Sequence, residues 1–416
     1  MPLIKAFRGL RPTRESASAV AAPPYDVMSS AEARAMVKGK PWSFLHISRP
    51  EVDLPEGCNP YAPEVYAKAR ENLDAMLAGQ VLTQDEQPSY YIYRLTMGSH
   101  VQVGLVCIAS VAAYDQDRIK KHEFTRPAKE DDRVRQIEAL AAQTGPVFLV
   151  YRSDPEVDAL LTAVTREVEP ELAVTAEGDV RHEIWLLSDP ERVARLTRLF
   201  DQMPSIYVAD GHHRSAAASR VTANRQAQNS AHTGEENYNY FLSVIFPHNQ
   251  MQILPYNRVV RDLNGLDKGA FISRIEVRFS IESSRDAVQP TKSGEFGMYL
   301  DGNWYRLTLD PGRIPWDDPV SSLDVSLLSG ELIEPILGIS DQRRDERIDF
   351  VGGIRGLAEL ERRVDSGEMA VAFSFYPTSM ESLMAVADAG EVMPPKSTWF
   401  EPKLADGLVS HLLDEN

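Results

Sequence analysis

Two cysteines in 416 residues are too few for a disulfide framework, and Cys58 and Cys107 stand far apart in no metal or redox spacing. No apolar run approaches the length of a membrane span, and the N-terminal MPLIKAFRGLRP has no apolar core before a cleavage site. A cytoplasmic protein without membrane contact is the expectation. Positive charge is scarce: 44 Lys and Arg against 61 Asp and Glu give a formal net charge of -17 with no basic block, so nucleic acid is an unfavoured partner. Also absent are the glycine-rich frames of the Walker A and dinucleotide-binding loops, and any H-E-x-x-H or C-x-x-C pair of zinc ligands. Apolar residues at 43% and charged residues at 25% describe an ordinary globular chain, long enough for two or three modules.

Against that plain background, SIYVADGHHRSAAASR (205–220) stands out. Ile206, Tyr207 and Val208 read as a buried strand, Asp210-Gly211 as a sharp turn, and Arg214 onward as a helix. A strand entering a helix through glycine leaves backbone N–H groups free for an anion. Asp210, His212, His213 and Arg214 crowd that turn. Asp210 alone suits a helix cap as well as chemistry. The adjacent His212 and His213 diverge and suit a shared metal poorly. Arg214 in the first helical turn opposes the helix dipole, which favours its use on an incoming anion.

Three other stretches concentrate polar chemistry. KKHEFTRPAKEDDR (120–133) sets His122 and Glu123 in a loop before a helix, with Lys121, Thr125, Lys129 and Arg133 nearby. Pro23-Pro24 makes a rigid approach to Tyr25 and Asp26. MPPKSTWFEPK (393–403) offers Lys396, Ser397, Thr398 and Lys403 to a phosphate, beside two aromatics. Each residue taken singly is as well explained by a solvated loop or a docked segment.

The coarse pattern is mixed α/β. Strands are expected at 41–51 and in 251–260, an antiparallel pair around Gly98, and helices over 63–80, 155–168 and 190–203. The helix before Val147–Tyr151 is expected to stop at Gly145-Pro146. Asp301-Gly302 marks a type I′ hairpin between alternating strands. Three modules are expected, at 1–115, 116–262 and 263–416.

Taken together, PPYDV (23–27), KKHEFTRPAKEDDR (120–133), ADGHHRSAAA (209–218), ILPYNR (253–258) and MPPKSTWFEPK (393–403) resemble a widespread bacterial family, DUF1015, over essentially the whole chain. The central part is similar to free serine kinases of ParB/sulfiredoxin-like fold. The counterparts are His122-Glu123, a helix within 131–144, the strand Val147–Tyr151 and Asp210–Arg214. Residues 152–205 form an insertion where the compact kinases have a short connection. The resemblance implies a ParB-like catalytic core flanked by N- and C-terminal α/β modules. It further implies a phosphotransferase with ATP or ADP as donor, Mg²⁺ as cofactor and a small hydroxyl substrate, L-serine favoured.

In that reading Glu123 is the general base, and Asp210, Gly211, His212, His213 and Arg214 surround the transferred phosphate, with Asp210 on the metal. Tyr25, Asp26, Lys121, His122, Thr125, Lys129, Arg133, Arg258, Lys396, Ser397, Thr398 and Lys403 are expected around substrate and nucleotide. A ParB-like nucleotide-binding switch or a DNA-associated binding protein without kinase activity is the alternative, weakened by the acidic balance. A sulfiredoxin-like reductase needs a cysteine in the turn, where this chain has histidines. Oligomeric state is left open.

Overall fold

The computed structural model describes residues 1–414 as a mixed α/β protein that divides into two compact units, Met1–Met251 with Pro402 onward, and Gln252–Glu401. These boundaries differ from the expected three modules. Strands on both sides of residue 116 share one sheet, so the first two expected modules fold together.

The first unit is built on a nine-stranded sheet. Its long central strand, His100–Ser110, pairs with Tyr90–Met97 on one side and Tyr240–Pro247 on the other, both antiparallel. Tyr240–Pro247 then runs parallel to Val147–Tyr151, which lies antiparallel to Ile206–Asp210. All five residues of Val147–Tyr151 are buried, as expected for a continuous apolar run with both faces covered. The insertion 152–205 supplies Arg181–Leu187, which extends the sheet beyond Tyr90–Met97, and the helices Pro155–Glu167 and Pro190–Gln202. Both helices open on Asp154 and Asp189 caps followed by proline at the first position. Their buried Val157, Leu161, Leu196 and Phe200 join the main core.

A smaller four-stranded sheet joins Gly9–Pro12 to Leu82–Gln84 and to Ser410–Leu412, which pairs in turn with Ala142–Gln143. The last stretch of chain therefore returns to the unit that begins it.

Three local expectations are corrected. Residues 41–51 form the helical turns Leu45–Ser48 and Pro50–Asp53, because Phe44, Leu45 and Ile47 bury at helical spacing against the helix Pro63–Ala78. The helix Pro127–Leu140 ends at Ala141, whose left-handed backbone (φ 49°) breaks it ahead of Gly145. Pro255 divides 251–260 into the strands Gln252–Leu254 and Tyr256–Val260.

The second unit carries a six-stranded antiparallel sheet. Its hairpin, Glu295–Leu300 to Asn303–Leu309, turns on Asp301 and Gly302, both at positive φ as a type I′ turn requires.

Candidate functional site

The strand Ile206–Asp210 delivers its last residue to the sheet edge, and the helix His212–Gln228 begins two residues later. Gly211 makes this possible. Its φ of +100° is a backbone conformation that side-chain-bearing residues rarely adopt, and a Cβ there would also press to 3.1 Å against the Arg214 guanidinium folded back over the turn.

Arg214 donates to the Pro146 carbonyl and lies 3.8 Å from Asp210 Oδ2. Lys403, brought by the returning C-terminal segment, stands 3.7 Å from the same oxygen. Burial alone would raise Asp210, but Lys403 and Arg214, with the Gly211 backbone N–H, outweigh it and hold the carboxyl down at about 2. Asp210 is therefore ionised at neutral pH between two cations, with its side chain 37% exposed.

Two histidines join this turn to the loop that carries Glu123. The His122 backbone N–H donates to His212 Nε2 at 3.4 Å, and the Arg126 backbone N–H donates to His213 Nε2 at 3.1 Å. Burial, with His122 beside it, pushes His212 well below its ordinary value, and burial likewise lowers His213. Both rings are thus neutral acceptors, and the ring proton of each sits on Nδ1. For His212 that atom faces Glu123 Oε2 at 3.5 Å. The pair His122–His212 packs edge to face with centroids 4.5 Å apart, and burial drops His122 to about 4. The histidines expected around the phosphate act here as fasteners for the Glu123 loop. Glu123 itself has its side chain half exposed at 51%.

Other expected residues fall in two groups. Tyr25 and Arg133 lie together, the guanidinium 4.0 Å over the phenol ring, and Asp132 grips Arg133 through bonds of 3.0 and 2.6 Å. The exposed Asp26 acts electrostatically on Arg214. Lys121 turns to the Tyr114 carbonyl at 3.0 Å and to Asp117, Thr125 donates to Glu130, and Lys129 donates to the Tyr61 hydroxyl at 3.2 Å. These three are committed to local contacts.

Arg258, Lys396, Ser397 and Thr398 belong to the second unit. Arg258 is 1% exposed and donates to the carbonyls of Tyr256, Lys396 and Pro395, so its guanidinium is spent on holding the loop 394–398. Ser397 closes the same loop on the Pro394 carbonyl.

Sequence reading missed Asp406, 2% exposed, which lies close enough to Arg214 for the guanidinium to act on its charge. Its signal was a third Asp-Gly pair, with Gly407 at φ +88° and no room for a Cβ against Phe44.

Among the described residues no group of three His, Cys, Asp or Glu forms a ready metal cage, and no helix is long and apolar enough to cross a membrane.

Similar solved structures include a free serine kinase in complex with AMP, at 13% identity and TM-score 0.35 over 73% of this chain and 92% of that one. A conserved hypothetical protein from Pyrococcus furiosus is similar at 14% identity and TM-score 0.35, over 74% and 95% of the two chains. SbnI from Staphylococcus aureus, truncated at its C-terminus, is similar at 12% and 0.38, over 75% and 90%. No curated protein matches the sequence. The family model described as a protein of unknown function, DUF1015, matches residues 4–326, and the chain belongs to that family.

Proposed function

We propose that this protein is a nucleotide-dependent kinase of a small hydroxyl compound, with L-serine as the favoured acceptor. One observation carries the reading: a carboxylate, Glu123, stands 3.5 Å from the buried neutral His212 at the N-terminus of the helix His212–Gln228, whose first turn brings Arg214 beside Asp210 at the end of the preceding strand and Lys403 from the returning C-terminal segment. Phosphoryl transfer asks a protein mainly for an aligned nucleophile and fixed positive charge around the phosphate, and these residues supply both.

In this reading the acceptor hydroxyl oxygen forms a bond to the terminal phosphorus of ATP or ADP. The bridging P–O bond to the nucleotide breaks, and Glu123 takes the hydroxyl proton. His212 orients Glu123 through its Nδ1–H, and His213 anchors the far end of the same loop at Arg126. Arg214, Lys403 and the backbone N–H groups after Gly211 neutralise the phosphate. Mg²⁺ fits as an ion carried in by the nucleotide: it needs one or two carboxylates besides phosphate and water, and the ionised, partly exposed Asp210 is one. The ion would supply further charge neutralisation there.

The test is phosphorus NMR on the full chain with Mg²⁺, ATP or ADP and a panel of hydroxyl amino acids. A phosphomonoester is expected with wild type, and Glu123→Ala is expected to lower its rate by roughly 10²–10⁴. If no hydroxyl compound gains phosphate, the proposal fails.

A further inference from the structure

The first unit contains a cavity of about 30 Å³, whose lining includes Tyr25, Arg133, Thr144, Gly145, Arg214 and Asp406. It has room for a few heavy atoms and not for a nucleotide. Gly145 keeps it open: a Cβ at that position would lie 3.4 Å from Arg214 Cδ and 3.7 Å from Asp406 Oδ1. The cavity carries charge of both signs. Arg133 is fixed between Asp132 and the Tyr25 ring, and Arg214 is fixed by Pro146 and Asp210. Asp406, pinned by backbone hydrogen bonds between its own peptide and Ala22, is buried with Oδ2 lacking any hydrogen-bond partner.

A buried carboxylate oxygen without a donor is costly, and a cationic N–H group answers both its lone pair and its charge. A guanidinium lining the same space answers a carboxylate. A ligand with ammonium and carboxylate on one carbon meets both demands at once. We infer that this cavity is the head-group subsite of the acceptor, which takes the α-ammonium on Asp406 and the α-carboxylate on Arg133 and Arg214. The acceptor class is then a free α-amino acid, with its side-chain hydroxyl left for the turn. This rests on the kinase reading and narrows it. Arg214 belongs to both places and ties the head group to the phosphate seat.

Burial raises the Asp406 carboxyl to about 7, against the pull of Arg214 and with the push of Asp26, while Arg133 also lowers it and the Tyr25 N–H assists. An ammonium ligand would reverse that balance.

The test is isothermal titration of the full chain, first with ADP and then with L-serine, ethanolamine and 3-hydroxypropionate. Ethanolamine lacks the carboxylate, and 3-hydroxypropionate lacks the ammonium. Wild type is expected to bind L-serine at least tenfold more tightly than either. Asp406→Asn is expected to weaken L-serine at least tenfold while ADP affinity stays within twofold. Arg133→Gln, checked for folding by circular dichroism, is expected to weaken L-serine to a similar degree. Equal affinity for the three compounds in wild type overturns the inference without reliance on any variant. So does ADP binding with no binding of L-serine, L-threonine or L-homoserine, an outcome that leaves the nucleotide half of the kinase reading standing. Loss of both ADP and amino-acid binding overturns the two together.

Discussion

Two arginines, one in each unit, are removed from water in opposite ways. Arg258 sits between Phe350 and Phe375, with its guanidinium 4.8 and 5.2 Å from the ring centres, and its donors go to backbone carbonyls. Burial, which the nearby Tyr256 only partly offsets, lowers it to about 9. Arg214 is also pushed down by burial, but Asp210, Asp26, Tyr25 and Asp406 overcome that and raise it. The first cation is spent on its own fold, as a fastener for one loop. The second lies among carboxylates, one of which, Asp406, keeps an oxygen without a hydrogen-bond partner, beside a turn with backbone donors and a small cavity. A buried charge whose hydrogen bonds close locally marks architecture. One whose surroundings remain incompletely satisfied marks a place for a ligand.

This contrast can be broken most sharply at Arg214. Arg214→Met is expected to cut phosphoryl transfer by roughly 10²–10³, as loss of a preorganised cationic donor does, and steady-state kinetics checks it. Arg258→Met is expected to appear in folding instead. It leaves the carbonyls of Tyr256, Lys396 and Pro395 without their donor and destabilises the second unit by about 3 kcal/mol, read from urea unfolding.

Asp406 gives a smaller effect with a defined sign. Its folded value, about 7, lies above the unfolded one near 3.9, so the folded protein prefers the protonated acid. The resulting loss of stability is absent below about pH 4, grows between pH 4 and 7, and is constant above. Unfolding of wild type and Asp406→Asn across that range is expected to show the variant gaining roughly 3–4 kcal/mol on wild type as pH rises. No relative change across this range contradicts the burial argument. The smallest effect belongs to a helix cap. Ser29 and Glu32 form a capping box at the helix Ser30–Val37, and Ser29→Ala is expected to cost about 1 kcal/mol in the same unfolding measurement.

Much of the candidate site was legible because it is local in sequence. Ile206–Asp210, Gly211 and the helix after it follow from an apolar run, a glycine and a run of helix formers. The hairpin at Asp301-Gly302 is of the same kind. What stayed hidden depends on long-range pairing. That His212 and His213 accept backbone N–H bonds from a loop some 90 residues earlier is invisible without the fold, since spacing reports residue types and not their partners. Arg258 looked like phosphate chemistry in one dimension, and burial turned its donors to the carbonyls of Tyr256, Pro395 and Lys396. Asp406 escaped notice because an Asp-Gly pair reads first as a turn, and only the returning strand Ser410–Leu412 carries it beneath Arg214. Residues 41–51 were misread because a short apolar run does not reveal its own period.

The central claim is that Glu123, held by His212, is the base of a phosphoryl transfer. The direct measurement follows formation of phosphoserine from L-serine, nucleotide and Mg²⁺ by phosphorus NMR, with wild type beside Glu123→Gln at matched ADP affinity. Phosphoserine from wild type, with a rate at least a hundredfold lower in the variant, is the predicted result. Equal rates in the two proteins, or no phosphorylated amino acid from wild type, would contradict it.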